Sequence, residues 1–210
     1  MTRSAPWPKL RRGLVAILRG IRPDEAVATG HALHDAGFEA IEVPLNSPDP
    51  FRSIEALAKA LPDALVGAGT VIDPDDVARL ADSGGRLLVS PNVDERVLAA
   101  AGARGLITMP GVFTATEAFL ALRCGASALK FFPASALAPE GITALRAVLP
   151  KDTVVGAVGG VSDTNFAGYL KAGVDVFGIG GSLYRSGDDV ATVAARAARM
   201  VKAWDDAAGG

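Results

Sequence analysis

The sequence has few of the residues that build disulfides and metal centres. Of its 210 residues, one is cysteine (Cys124) and two are histidine. A single cysteine forms no internal disulfide, so we expect a protein of a reducing cytoplasm. His31 and His34 fall on one predicted helix, and together with one thiol they do not make up the usual zinc set. We interpret both histidines as surface residues and Cys124, near a helix end, as a packing residue rather than a nucleophile.

An excess of charge of one sign and long apolar runs are also lacking. The net charge of −2 provides no basic surface for nucleic acid or anionic lipid. No run approaches the roughly 18 consecutive apolar residues of a membrane span. The amino-terminal stretch has arginines but no apolar core typical of a secretion signal. We therefore expect no nucleic-acid and no membrane partner.

What the sequence does have is a regular alternation of apolar runs and helical stretches. The eight apolar runs cover residues 14–20, 40–45, 65–71, 86–91, 105–111, 128–134, 154–160 and 176–181. Several intervening stretches begin with Pro-Asp or Thr and end with Gly, as helices do. Eight such units without a linker predict an α/β protein with one (β/α)8 TIM barrel over residues 1–210, in which residues 1–13 are a lead-in segment. The alternative is a doubly wound open sheet, which the count of eight disfavours.

The unusual residues fall at the carboxyl ends of these runs, which in a barrel converge on the face where active sites are built. Three of them are charged residues inside otherwise apolar runs, namely Arg19, Glu42 and Lys130. A salt-bridged plug without chemistry is the alternative interpretation. The remaining strand-end residues are Thr70, Pro91, Pro110, Gly159, Gly160, Gly180 and Gly181.

Lys130, in "ALKFFPA", is the most informative of the charged residues, because lysine is seldom fully buried. Burial beside Phe131 or Phe132 and repulsion from Arg19 both favour the neutral amine. A neutral amine attacks a carbonyl to form a Schiff base, whose iminium accepts an electron pair. Glu42 is then the natural proton shuttle, and Arg19 suits a substrate carboxylate. The alternative is a lysine that only extends out of a strand end.

Two glycine pairs, in "AVGGV" and "GIGGS", close the seventh and eighth runs. The loops after these strands form the recurrent phosphate site of the barrel, where glycine lets backbone N–H groups approach an anion. Ser182 adds a hydroxyl donor. Glycines that merely form tight turns are the alternative. Together with Lys130, Glu42 and Arg19, the phosphate interpretation predicts a class I aldolase acting on a phosphorylated keto acid.

The chain also resembles the 2-keto-3-deoxy-6-phosphogluconate (KDPG) and 6-phosphogalactonate (KDPGal) aldolases from about Leu14 to the last helix. The segments that carry the resemblance are "ILRG", "IEVPLNSP", "VGAGTV", "SPN", "MPGVFTATEA", "LKFFPAS", "AVGGV" and "IGGSLYRSG". The resemblance implies that Lys130 is the Schiff-base lysine and Glu42 the general acid/base. It further implies a homotrimer with no metal and no cofactor. Its implied binding residues are Arg19, Thr70 and Pro91 for the pyruvate half and Gly159, Gly160, Gly181 and Ser182 near the phosphate. We also predict that Phe132 and Gly180 bind the substrate.

The segment from Glu42 to Ser47 reads "EVPLNS" and resembles the galactonate-type enzymes, and Asn46 stands where gluconate-type enzymes have arginine. "GIGGS" is closer to the gluconate type. We predict a preference for the galactonate-derived substrate, with the gluconate epimer or dual specificity as the alternative. A non-catalytic sugar-phosphate-binding barrel is the alternative of a different class, and it would not need Lys130.

Three further residues near the ends of the barrel allow two interpretations each. Trp7 either covers the bottom of the barrel or stays loose. Tyr184 and Arg185 follow the "GIGGS" turn and either assist there or belong to a surface or subunit contact.

Overall fold

The structure, a computed structural model, describes residues 3–209, so residues 1, 2 and 210 of the predicted domain lie outside it. The described chain alternates nine strands with eight helices. The strands are β1 (Leu14–Ile17), β2 (Ala40–Pro44), β3 (Leu65–Gly69), β4 (Leu87–Val89), β5 (Ile107–Met109), β6 (Gly111–Val112), β7 (Leu129–Phe131), β8 (Val155–Val158) and β9 (Val176–Ile179). The helices are α1 (Pro23–Ala36), α2 (Pro50–Ala60), α3 (Asp75–Asp82), α4 (Glu95–Ala103), α5 (Ala115–Arg123), α6 (Ala134–Arg146), α7 (Phe166–Lys171) and α8 (Val190–Ala208).

The strands form one parallel sheet in the order β5-β4-β3-β2-β1-β9-β8-β7-β6. Only Pro110 separates β5 from β6, and proline has no N–H to continue a ladder. The two short strands are therefore halves of one barrel strand, and the sheet closes into a ring of eight. The predicted TIM barrel is confirmed, and the open-sheet alternative is wrong.

Two apolar layers explain which way each strand side chain points. Successive strand residues face opposite sides of the sheet. On β1, Val15 and Ile17 pack inside the ring, whereas Leu14 and Ala16 pack outward against the helices. This alternation is what orients the charged residues of the other strands.

Helix ends follow the signals in the sequence. At the start of α5, the Thr114 hydroxyl accepts a hydrogen bond from the Glu117 N–H at 3.3 Å, and the Glu117 carboxylate accepts one from the Thr114 N–H at 2.8 Å. Gly37 ends α1 with a φ of 110°, a conformation that glycine adopts readily. Helix α6 is broken at Ala138, just before Pro139. No helix among residues 3–209 is long and apolar enough to cross a bilayer.

The lead-in segment crosses the bottom of the barrel, the face opposite the carboxyl ends of the strands. The N–H groups of Ser4 and Ala5 donate to the carbonyls of Gly125 and Leu106 at 3.1 and 3.0 Å. Trp7 packs against the inner apolar layer. Trp7 therefore covers the barrel bottom, and the alternative that it stays loose is wrong.

Candidate active site

The barrel brings Lys130 and Glu42 into one interior from β7 and β2. On each strand the flanking residues belong to the outer apolar layer, so the charged side chain points inward. Lys130 is 6 % exposed and Glu42 is 3 % exposed. Lys130 pairs with Gly111 and Gly156, so neither neighbouring strand places a side chain beside it. Two ionisable groups thus share a space in which charge is poorly solvated.

Burial acts on these two groups in opposite directions. It raises the pKa of Glu42 from its ordinary 4.5 to about 7, although the positive charges of Lys130 and Arg19 pull that pKa down. Burial lowers the pKa of Lys130; the Glu42 charge opposes this shift and the Arg19 charge adds to it. Both shifts favour the neutral forms. A neutral amine and a carboxyl group that titrates near neutrality are the forms that proton-transfer chemistry on a carbonyl compound requires.

The aromatic neighbour of the lysine is Phe132. The Lys130 Nζ atom lies 4.7 Å from the centre of the Phe132 ring. Phe131, the next residue along β7, is fully buried in the outer apolar layer. Strand alternation therefore decides between the two phenylalanines that the sequence offered.

The Glu42 carboxyl group is unusual because its Oε2 atom is buried without a hydrogen-bond partner among the described residues. Native structures rarely leave a buried polar atom unpaired, since the lost solvation costs about 1–3 kcal/mol. A buried, unpaired group with a shifted pKa in a cleft points to a functional role.

Arg19 and Asn46 meet at the mouth of the barrel. The Arg19 Nη1 atom donates a hydrogen bond of 2.6 Å to Asn46 Oδ1. Both side chains are exposed, and they follow the neighbouring strands β1 and β2. No acceptor in residues 3–209 takes the other guanidinium donors of Arg19, which are therefore free to face an anionic ligand.

Thr70, the residue after β3, has a strained conformation. Its φ is 58°, in the left-handed region that a β-branched residue seldom adopts. Backbone hydrogen bonds hold it on both sides, from Leu45 N–H to Gly69 O at 2.8 Å and from Val71 N–H to Val89 O at 3.2 Å. Such strain persists where the surroundings impose it and clusters at functional sites. Pro91, after β4, lies partly exposed on the same rim.

A cavity of about 610 Å³ opens between the ends of β8, β9 and β1. Both glycine pairs line it. Gly159 and Gly160 have φ values of 90° and 80°, so the turn itself requires glycine there. A Cβ atom on Gly180 or Gly181 would meet nothing within 4 Å, and neither has a left-handed φ. Packing and backbone therefore do not explain the second pair.

Donors for an anion converge on this cavity. Within residues 3–209 no protein acceptor takes the backbone N–H of Gly181 or Ser182. The Ser182 hydroxyl, which the sequence offers as a donor to a ligand, donates instead to the Val161 carbonyl at 3.2 Å. Arg185 lines the cavity, where its Nε donates to Gly181 O at 3.1 Å. Arg185 therefore contacts the turn itself, and its assistance to a ligand there stays a prediction.

The remaining sequence candidates lie elsewhere. Cys124 is buried at the carboxyl end of α5, and burial raises the pKa of its thiol. His31 and His34 are exposed on α1. No group of three or more His, Cys, Asp or Glu side chains within the described chain is arranged to hold a metal ion.

The fold and site together define a TIM-barrel enzyme with a desolvated lysine and a titratable carboxyl group at its mouth, beside a glycine-lined cavity. Residues 9–196 match the family model described as KDPG and KHG aldolase. The chain belongs to this aldolase family.

Two curated relatives match along nearly their whole length. A probable 2-dehydro-3-deoxy-6-phosphogalactonate aldolase of Rhizobium meliloti is 55 % identical over 206 residues, which cover 98 % of this chain and 97 % of that protein. The 2-dehydro-3-deoxy-6-phosphogalactonate aldolase of Escherichia coli is 51 % identical over 195 residues, covering 92 % and 95 %.

Solved structures agree with the fold. A structure described as native KDPGal has a TM-score of 0.95 at 48 % identity, covering 98 % of this chain and 100 % of that one. A cube-shaped protein cage designed by fusing symmetric oligomeric domains has a TM-score of 0.93 at 50 % identity, covering 95 % and 74 %.

Proposed function

We propose that the protein is a class I aldolase that cleaves 2-dehydro-3-deoxy-6-phosphogalactonate to pyruvate and glyceraldehyde 3-phosphate. The observation that carries the proposal is Lys130, a buried lysine with a lowered pKa on the inner face of β7, in the same interior as Glu42. A barrel that only bound sugar phosphates would have no use for this pair. The names of the two relatives support the same substrate.

In the first half of the reaction, the neutral Lys130 amine attacks the C2 carbonyl of the keto acid. Loss of water gives an iminium ion, which withdraws electrons from C3. Arg19 and Thr70 hold the substrate carboxylate, and Pro91 and Phe132 line the pyruvate half of the site. The guanidinium donors that Asn46 leaves free suit a carboxylate, which accepts two parallel hydrogen bonds.

In the second half, Glu42 removes the proton from the C4 hydroxyl. The C3–C4 bond breaks, its electron pair passes into the enamine on Lys130, and the aldehyde product leaves. Protonation at C3 and hydrolysis of the iminium ion then free pyruvate and the lysine. A pKa of about 7 makes Glu42 a base at neutral pH that also returns a proton readily. The covalent iminium serves as the electron sink, so the scheme requires no metal and no cofactor.

The phosphate of the substrate binds in the cavity between the ends of β8, β9 and β1. The open space beside Gly180 and Gly181 supports this assignment, because a ligand explains glycine where packing does not. The free N–H groups of Gly181 and Ser182 donate to the phosphate, and Arg185 supplies a positive charge. Binding of this remote group positions C2 and C4 for reaction.

We further propose that the chain folds as one domain, works in the cytoplasm and assembles as a homotrimer. The cage built from symmetric oligomeric domains supports association of copies. So do six large apolar side chains left exposed on the described chain, because they offer apolar surface for a contact between copies. Among these six side chains are Ile72, Phe113 and Phe119, which are 58 %, 41 % and 37 % exposed.

Reductive trapping tests the proposed function. Incubation with pyruvate and borohydride is expected to leave a reduced pyruvate adduct on Lys130 and to abolish cleavage. Peptide mass analysis locates the adduct, and Lys130→Met, which has no amine, is the control that should remain unlabelled. No adduct, or an adduct on another lysine such as Lys9, would overturn the aldolase mechanism.

A further inference from the structure

The Glu42 carboxyl group occupies the space in which a side chain at position 69 would lie. A Cβ atom placed on Gly69 would overlap Glu42 Oε2 and Cδ and would come within 2.6 Å of Oε1. The strand register sets the Cα of Glu42 opposite Gly67, and Gly69 is two residues further toward the barrel mouth. The Glu42 side chain therefore extends along β3 until its carboxyl group rests on the Gly69 backbone.

The Glu42 carboxyl group is the nearest obstacle to a side chain at position 69. Gly69 lies in regular strand conformation, which any residue adopts, and the three atoms nearest to a Cβ at this position all belong to Glu42. Gly67, two residues earlier, differs because a Cβ there would overlap the backbone of Leu87. Glycine at 67 is thus required by the barrel, whereas glycine at 69 is required by the Glu42 carboxyl group.

No hydrogen bond from the described residues holds Glu42 Oε2 in place. The carboxyl group is held instead by packing against the backbone of Gly69, which has no side chain. A side chain at 69 would push that group toward Lys130 and the mouth or turn it away from them. Either movement changes both the reach of Glu42 and the burial that raises its proton affinity.

We propose that Gly69 is a positioning residue for Glu42, whose missing side chain sets the location of the proton-transfer group. The inference rests on the proposed function, in which Glu42 moves the C4 hydroxyl proton. It adds a residue that touches no substrate atom and acts through Glu42 alone.

The first test is Gly69→Ala. Pyruvate trapping on Lys130 is expected to persist, while kcat for cleavage falls on the order of 10²-fold, the scale of a lost acid/base group. The pH at half-maximal kcat/KM is expected to move as well, because the environment of Glu42 changes. Gly168→Ala on α7 is the matched control, since a Cβ there has its nearest neighbour at 3.7 Å, and its kinetics should equal those of the wild type.

The second test is rescue by a shorter carboxylate. Glu42→Asp removes one methylene group, so it should lower cleavage in the wild-type background but raise it in the Gly69→Ala background. This change of sign is what a steric contact between the two residues predicts. Equal losses in both backgrounds, or full activity of Gly69→Ala, would overturn the inference.

A stability measurement covers the case in which Gly69→Ala folds poorly. If the carboxyl group is the obstacle, the substitution should lower the melting temperature in the wild type but not in a Glu42→Ala background. Equal losses in the two backgrounds would refute the steric contact. Failure of the wild type to trap pyruvate would instead overturn the proposed function, so the two failures are distinguishable.

Discussion

At the scale of single residues, Glu42 and Lys130 show how one apolar interior acts on an acid and a base. Neither group meets a strong hydrogen-bond partner among the described residues that would fix its charge, so burial dominates both pKa shifts. The acid becomes weaker and the amine less basic, and both come closer to neutrality. The chemistry at the mouth should therefore depend on pH near physiological values.

The first consequence concerns cleavage. The value of kcat/KM for the phosphorylated keto acid should rise with pH through about 7, because Glu42 accepts the C4 hydroxyl proton only when it is ionised. Glu42→Gln should remove this dependence and lower cleavage on the order of 10²-fold. The measurement is a pH–rate profile of both proteins, with EDTA present to exclude a contribution from metal. A flat wild-type profile would mean that another group moves the proton.

At the scale of elements, the proposed mechanism places the loop after β2 beside the reacting carbon. The two candidate substrates differ in configuration at C4, the carbon whose hydroxyl Glu42 must reach. Asn46 lies on this loop, after Glu42 of β2, and its Oδ1 atom accepts a 2.6 Å hydrogen bond from Arg19. The cation at this side of the mouth is thus Arg19, which follows β1, and the β2 loop fixes its position.

We predict a preference for the galactonate-derived epimer over the gluconate-derived one. A misplaced hydroxyl is worth about 1–3 kcal/mol, or roughly tenfold to a hundredfold in specificity. The values of kcat/KM for both epimers, measured on one preparation, check the prediction. Equal values would make the enzyme dual-specific, and a preference for the gluconate epimer would show that Asn46 does not set the selectivity.

Sequence patterns predicted the elements well because each strand is a short apolar run between helix signals. They also brought Arg19, Glu42 and Lys130 to one face, since strand ends of a barrel converge. The division of the fifth strand at Pro110 was not predicted. Nor was the dependence of Glu42 on Gly69, because it results from how far a side chain extends along a neighbouring strand. Such contacts follow from register, which the sequence of one strand does not specify.

At the scale of the whole molecule, the buried Glu42 affects the free energy of unfolding. Its pKa is about 7 in the folded protein against an ordinary 4.5, so the folded state keeps a proton that the unfolded state loses between these values. The stabilisation that the protonated Glu42 contributes to the folded state is fully present below pH 4.5 and is lost as the pH rises through 7. A shift of this size corresponds to about 3 kcal/mol.

Glu42→Gln should remove this pH-dependent loss of stability, because glutamine does not ionise. The stability of the variant relative to the wild type is therefore expected to improve by about 3 kcal/mol between roughly pH 4.5 and pH 8. Urea unfolding at several pH values measures the difference, and Glu140→Gln, which alters an exposed glutamate, is the control that should follow the wild type. Parallel curves for Glu42→Gln and the wild type would show that Glu42 titrates alike in the folded and unfolded chains.

The lead-in segment and the end of α8 meet at the bottom of the barrel. Arg12 of the lead-in donates two hydrogen bonds of 2.7 Å to Asp205 near the end of α8. Both ends of the described chain therefore lie on the face opposite the mouth. A linker across this face would join them into a circular chain, and a tether to a surface or a second protein would also attach there. In either case substrate would still enter and leave from the other side.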